Sequence, residues 1–254
     1  MEILEDIINN INDDAPVSEV RRGLHWTAVV SRRCGLASTL ADGGCGHGES
    51  GGMDGSYTDM SALELARFCL GRRNAALSMC VAAINSLTEI NPDKYDNIEG
   101  LQIVKEFGIK KNISVIGHFP NLNELSGVAK NLWIIEKQPM PGDHSEDAGK
   151  KLIPQSDIVV ITSTTLINNT LTGILEICKK GSIKMLLGPS TPLSPVLFDY
   201  GIDILAGSIV TDMEPVLKSV GEGVSFMQLK KRGGVKFMTM VRDYADIKRR
   251  MTQQ

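Results

Sequence analysis

Asp157-Ile158-Val159-Val160-Ile161-Thr162-Ser163-Thr164-Thr165 decides the fold. Its apolar run is short and β-branched, without polar alternation, as in a strand covered on both faces. It ends in four successive hydroxyl residues and passes into a helical stretch. Residues 113–116, 132–135, 183–187 and 202–205 are further short runs, bounded by turn residues and β-branched or Leu-rich. Helix-like stretches lie between and after them, near 121–131, 147–153, 168–179, 194–200 and 212–221. Strand alternating with helix predicts crossover units and a parallel sheet, hence an α/β fold. Right-handed crossovers wound from a central first strand predict the order 3-2-1-4-5 for the five runs.

Upstream the pattern changes. Ile3, Leu4, Ile7, Ile8 and Ile11 form a helical stripe. Residues 17–33 read as two short strands with Gly23 in the turn, and 36–40 as a third. Residues 41–56 hold too much glycine for the interior of a helix or strand. Ser61 and Glu64 form a capping box for a helix through Leu70, closed by Gly71. A second helix runs over 74–89 and ends at Asn91-Pro92. Residues 95–107 make a connection with a short helix. At the other end, 224–229 and 235–241 resemble a hairpin about Lys230-Lys231-Arg232-Gly233-Gly234, followed by a polar, basic helix. The chain divides near residue 100, into 1–98 and 99–254.

Composition narrows the class. The 254 residues are 42% hydrophobic and 22% charged, which excludes a disordered chain. Lys+Arg 27 against Asp+Glu 30 gives a net charge of -3, with no electrostatic footprint for nucleic acid. No run approaches the ~18 apolar residues of a membrane span. The acidic start, Met1 to Asp6, lacks the basic end of a signal peptide. The expectation is a soluble, cytoplasmic protein. Five scattered cysteines suggest no disulfide framework. Cys69, Cys80 and Cys178 sit in helical patterns as buried thiols.

Ligands of an open parallel sheet bind beyond the carboxyl ends of its strands. Those ends are Gly117-His118-Phe119-Pro120, Glu136, Thr162-Ser163-Thr164-Thr165, Gly188-Pro189-Ser190-Thr191-Pro192 and Gly207-Ser208. Two of them place small hydroxyls just before a helix, where backbone N–H groups and the helix dipole suit a carboxylate or phosphate. The plainer alternative is that they cap helices. Glu136, 19 residues after Gly117, stands where an acidic residue can bind a ribose. Gly117-His118-Phe119-Pro120 lacks the G-x-G-x-x-G spacing, so dinucleotide binding is disfavoured, while mononucleotide or S-adenosyl-type binding stays open. Cys34, Cys45, His47 and His118 are the candidate metal ligands. Cys45-Gly46-His47 does not match the paired spacing of structural zinc sites, and the glycine-rich setting equally describes a surface loop. No convincing nucleophile–base pair is visible.

Taken in order, Ile116 to Pro120, Glu136, Pro141-Gly142-Asp143, residues 157–163 with Thr164-Thr165-Leu166-Ile167-Asn168, and Gly188 to Leu193 resemble a family described as heavy-metal chelation proteins. The resemblance extends through Gly207 and Asp212 and upstream to Ala82-Ala83-Ile84-Asn85, covering most of the chain. It implies a Rossmann-like parallel sheet domain preceded by a smaller α+β enolase N-terminal-like domain, with the site between them. Enolase chemistry is not implied. The glycine-rich insertion at 41–56 has no counterpart in the family motifs.

The expected function is a cytoplasmic protein that binds a small anionic ligand or metal complex in an interdomain cleft, in heavy-metal handling. A divalent heavy-metal ion is the expected cofactor. The alternative is a transferase or lyase using a nucleotide-like cofactor. Gly117, His118, Glu136, Thr162, Thr164, Thr165, Asn168, Gly188, Pro189, Ser190 and Thr191 are expected around the ligand. His25, Trp26, Thr27 or the 34–47 loop would approach from the cap. Neither nucleic acid nor membrane is an expected partner. A two-fold homodimer is expected, with the terminal hairpin and helix available to cover a neighbour's edge.

Overall fold

A computed structural model describes residues 2–41, 55–89 and 99–252. Cys45, His47 and the Asn91-Pro92 stop lie outside the described residues. Helix α1 (Glu2–Asn9) buries Ile3, Leu4, Ile7 and Ile8, the stripe seen in the sequence. Strands β1 (Glu19–Arg22), β2 (Trp26–Val30) and β3 (Cys34–Ser38) form an antiparallel sheet in that order. The third strand begins two residues earlier than expected. Helix α2 (Ala62–Cys69) starts at the Ser61–Glu64 capping box, each side chain accepting from the other's backbone N–H. Helix α3 (Asn74–Leu87) is buried on nearly every side, from Leu77 to Leu87. It packs on β2 and β3 so closely that a Cβ on Gly35 would stand 2.0 Å from Ala82 O.

Helix α4 (Gly100–Phe107) leads into a seven-stranded sheet. Its strands are β4 (Asn112–Ile116), β5 (Asn131–Glu136), β6 (His144–Ser145), β7 (Ile158–Thr162), β8 (Ile183–Leu187), β9 (Ile204–Val210) and β10 (Val235–Val241). The order is β10-β9-β8-β7-β4-β5-β6, parallel except for β10. Between the strands lie α5 (Asn123–Ser126), α6 (Glu146–Leu152), α7 (Thr164–Ile167), α8 (Leu171–Ile177), α9 (Val196–Asp199), α10 (Met213–Gly221) and α11 (Phe226–Arg232). Helix α12 (Tyr244–Thr252) follows β10.

Two expectations are corrected here. The run at 157–161, counted third in the sequence, pairs with β4 and not with β5. The five runs stand in the order 2-1-3-4-5; the place beside β5 belongs to the two-residue β6, and with it counted the six parallel strands run 3-2-1-4-5-6. The expected hairpin at 224–241 is a helix followed by a strand. Ser225 accepts from the Gln228 N–H and Gln228 from the Ser225 N–H, a capping box that starts α11. The following strand, β10, pairs antiparallel with β9 of its own chain.

Side chains alternate across the large sheet. Val159 and Ile161 join a core with α1, α2 and α3, whereas Ile158 and Val160 join a second core with Ile103, Val104, Ile247 and Met251. A third core puts the outer face of β2 and β3 against α10 and α11, through Trp26, Ala28 and Leu36 with Val216, Val220 and Leu229. The small sheet is therefore covered on one side by α3 and on the other by helices from the chain's C-terminal part. The terminal elements named as available to a neighbour's edge, α11, β10 and α12, pack on this chain's own sheets.

Candidate functional site

A cavity of about 440 Å³ opens beyond the carboxyl ends of β4, β7 and β8. That volume lies within the usual range of small-molecule pockets. Its floor is made by the strand ends. Gly117 at φ +102 turns the chain out of β4 and brings His118, Phe119 and Pro120 to the wall. Gly188 at φ +137 does the same after β8, leading to Pro189. Thr162 and Thr164 line the cavity with their hydroxyl oxygens 3.0 Å apart. Trp26 and Ser38 of the small sheet close one side; Phe226, Met227 and Lys230 of α11 close another. Phe237 of β10 and Glu99, just before α4, complete the wall. Lys230 Nζ lies 3.2 Å from the Glu99 carboxylate and 5.6 Å from the centre of the Phe237 ring.

The structure thus brings His118, Thr162, Thr164, Gly188 and Pro189 together, with Trp26 opposite. Gly117 is the hinge behind them. Its N–H donates to Ile135 O at 3.0 Å. Other candidate residues stand elsewhere. Thr165 is buried and donates to Thr162 O at 2.7 Å. Asn168 accepts from the Thr170 hydroxyl at 2.6 Å, before α8. Glu136 accepts from the Lys137 N–H and is not on the cavity wall. Ser190 and Thr191 are buried against the small sheet and α3. The Ser38 N–H donates to Ser190 Oγ at 2.7 Å, the Ser190 hydroxyl donates to Ser38 Oγ at 3.1 Å, and Asn85 donates to Leu36 O and Ser190 O.

These contacts give Ser190 and Thr191 different weights. Ser190→Ala should cost about 1–3 kcal/mol, because the Ser38 N–H loses its acceptor inside the structure. Thr191 Oγ1 has no hydrogen-bond partner among the described residues, so Thr191→Val leaves no protein group unpaired. Its cost should stay below about 1 kcal/mol. Urea denaturation of the two variants checks the contrast, and equal losses would contradict it.

The anion argument weakens for a geometric reason. The helices after the two hydroxyl-rich strand ends, α7 and α9, have four residues each. One turn sums few peptide dipoles, so little positive potential collects at its start. The metal expectation meets a similar test. Among the described residues, no group of three or more His, Cys, Asp or Glu could hold a metal ion. Cys34 is buried, and loss of hydration pushes its thiol up to about 12, away from the thiolate that binds metal. His118 Nε2 is 2.8 Å from Asp143 Oδ2. The residues described here do not fit a bare heavy-metal ion.

Several wall residues were not singled out from the sequence: Phe226, Met227, Lys230, Phe237 and Glu99. The Ser225–Gln228 capping box was the available signal for α11, and it alone would have turned Phe226 and Met227 from strand residues into helix residues.

Fold and cavity together define an α/β protein whose mostly parallel sheet carries a cavity of small-molecule size at its strand ends, with Trp26 and Ser38 of the small sheet on the wall. A family model described as "Putative heavy-metal chelation" matches residues 101–239, and a second with the same description matches residues 4–88. The chain belongs to the family that these models describe. It is 29% identical over 252 residues to an uncharacterized protein of Methanocaldococcus jannaschii, covering 92% of this chain and 93% of that one. Two crystal structures share the fold, both of proteins with unknown function from the DUF364 family. The one from Desulfitobacterium hafniense has a TM-score of 0.79 at 24% identity, covering 95% of this chain and 98% of that one. The one from Pyrococcus horikoshii has a TM-score of 0.80 at 21% identity, covering 94% and 98%. No helix among the described residues is long and apolar enough to cross a membrane.

Proposed function

We propose that the chain binds a small organic molecule, free or as the organic shell of a metal complex, in the 440 Å³ cavity between its two sheets. One observation carries this function. The chain has only six Phe and two Trp, yet Phe119, Phe226, Phe237 and Trp26 all line this cavity. Aromatic walls with a few placed polar groups are the usual make-up of an organic-ligand site. Here the polar groups are the paired hydroxyls of Thr162 and Thr164, the Glu99–Lys230 pair and His118. The donors for a heavy metal would come mainly from the bound molecule, which agrees with the family description and with the absence of a protein donor cluster among the described residues.

Native mass spectrometry with elemental analysis of untagged protein from its own host tests this. The expected result is one added small-molecule mass, lost in Phe226→Ala. Metal retained at one equivalent after the organic molecule is stripped, and lost in Cys45→Ser with His47→Ala, would move the function to the glycine-rich segment.

A second function, an enzyme with a nucleotide-like cofactor, is favoured by the cavity's place. It lies where the strand order reverses between β4 and β7, the usual ligand crevice of such sheets. Glu136, the residue for a ribose, is not on the wall, which ranks this function second.

A further inference from the structure

We infer that His118 is the proton acceptor of this cavity, held in one tautomer by Asp143 so that Nδ1 offers its lone pair to an ionisable O–H, N–H or S–H of the bound molecule. This role rests on the cavity being a small-molecule site.

Asp143 is built as an orienting group. Its side chain is 5% exposed although it lies in a loop. Oδ2 accepts from His118 Nε2 at 2.8 Å and from the Met140 N–H at 2.9 Å, and Gly142 at φ +98 shapes the turn. The hydrogen bond from His118, then that from Met140, holds the carboxyl below the usual carboxylate range. An ionised carboxylate only accepts, so Nε2 must carry the hydrogen. The neutral ring then has its lone pair on Nδ1, for which no partner exists among the described residues.

His118 lies on the wall, and its side chain is 37% exposed. The other ionisable wall groups, Glu99 and Lys230, are paired with each other. Nδ1 is therefore the basic atom of the wall left without a protein partner among the described residues. In the step it supports, the X–H hydrogen passes as a proton to Nδ1 and the bonding pair stays on X. The products are X⁻ and an imidazolium whose charge Asp143 balances. A carboxylate fixes a histidine in this way in hydrolytic triads. Asp143 is the positioning residue, and His118 is the group that meets the ligand.

Two-bond ¹⁵N–¹H correlation spectra of the histidine-labelled full chain read the tautomer directly. The neutral His118 ring is expected as the Nε2–H form, with that preference lost in Asp143→Asn and restored in part by Asp143→Glu. Carbethoxylation by diethyl pyrocarbonate, mapped by peptide, should be faster at His118 than at His144. Asp143→Asn should slow it at His118 alone. An Nδ1–H majority in the unaltered protein, or the same tautomer in Asp143→Asn, overturns the inference, as does a His118 that resists carbethoxylation. These readings need no bound molecule, so failure to find a ligand would count against the small-molecule site and leave the tautomer result standing.

Discussion

Gly35→Ala is expected to cost about 3 kcal/mol or more, the upper end of what an overpacked site loses. The added Cβ would stand 2.0 Å from Ala82 O and 2.3 Å from Ser86 N. Both are backbone atoms of α3, so no side chain can turn aside to relieve the contact. The only relief is to lift β3 off α3, and that would open the first core and pull Ser38 away from Ser190. Gly173→Ala is the internal comparison. Gly173 lies in α8 with nothing within 4 Å of its added Cβ. There the substitution should stabilise by roughly 0.4–1 kcal/mol, by narrowing the unfolded ensemble. Urea midpoints for the two variants should move in opposite directions. A Gly35→Ala protein within 1 kcal/mol of the original would show that β3 and α3 do not meet as described.

The parallel strands could be read from sequence because burial on both faces favours short β-branched or Leu-rich runs; β7 keeps an unbroken one, and β4 and β8 are interrupted only by Ser114 and Lys184. Strand β6 has no such signature: His144 and Ser145 are polar, and only pairing with Ile135 and Glu136 makes them a strand. Residues 224–229 were misread because a short apolar run has no decisive period, and hydroxyl capping outweighed β-propensity there.

The site divides the same way. His118, Thr162, Thr164, Gly188 and Pro189 could be placed from sequence because strand direction alone puts them at one sheet edge. Phe226 and Phe237 could not, since their position depends on how α11 and β10 fold back. Ser190 looked like a ligand residue for a physical reason: a buried serine facing another strand has the same local sequence as one facing a ligand. Its partner, Ser38, is 152 residues away. Aspartate substitutions at 165 or 190 would accordingly report on folding, since both positions are buried and hydrogen-bonded within the protein.

Trp26→Ala is the other substitution with a large expected effect, about 3–5 kcal/mol for a truncated buried tryptophan. Trp26 is 5% exposed and belongs to the third core. Its Nε1–H donates to Val224 O at 2.9 Å, and its ring centre lies 6.3 Å from that of Phe226. The same ring is a wall of the cavity. One side chain therefore ties the small sheet to α11 and shapes the space a ligand would fill. Trp26→Phe separates the two roles. It keeps an aromatic wall and most of the packing, and it loses the bond to Val224 O, for about 1–2 kcal/mol. Stability by urea denaturation and bound molecule by native mass spectrometry should then diverge. Trp26→Ala is expected to lose both. Trp26→Phe should keep the molecule while its midpoint falls slightly. A Trp26→Ala protein of undiminished stability would mean that α11 is held by its other contacts, Leu229 in the third core, Phe226 on Phe237 and Lys230 on Glu99, and the cavity wall would then have to be sought without Trp26.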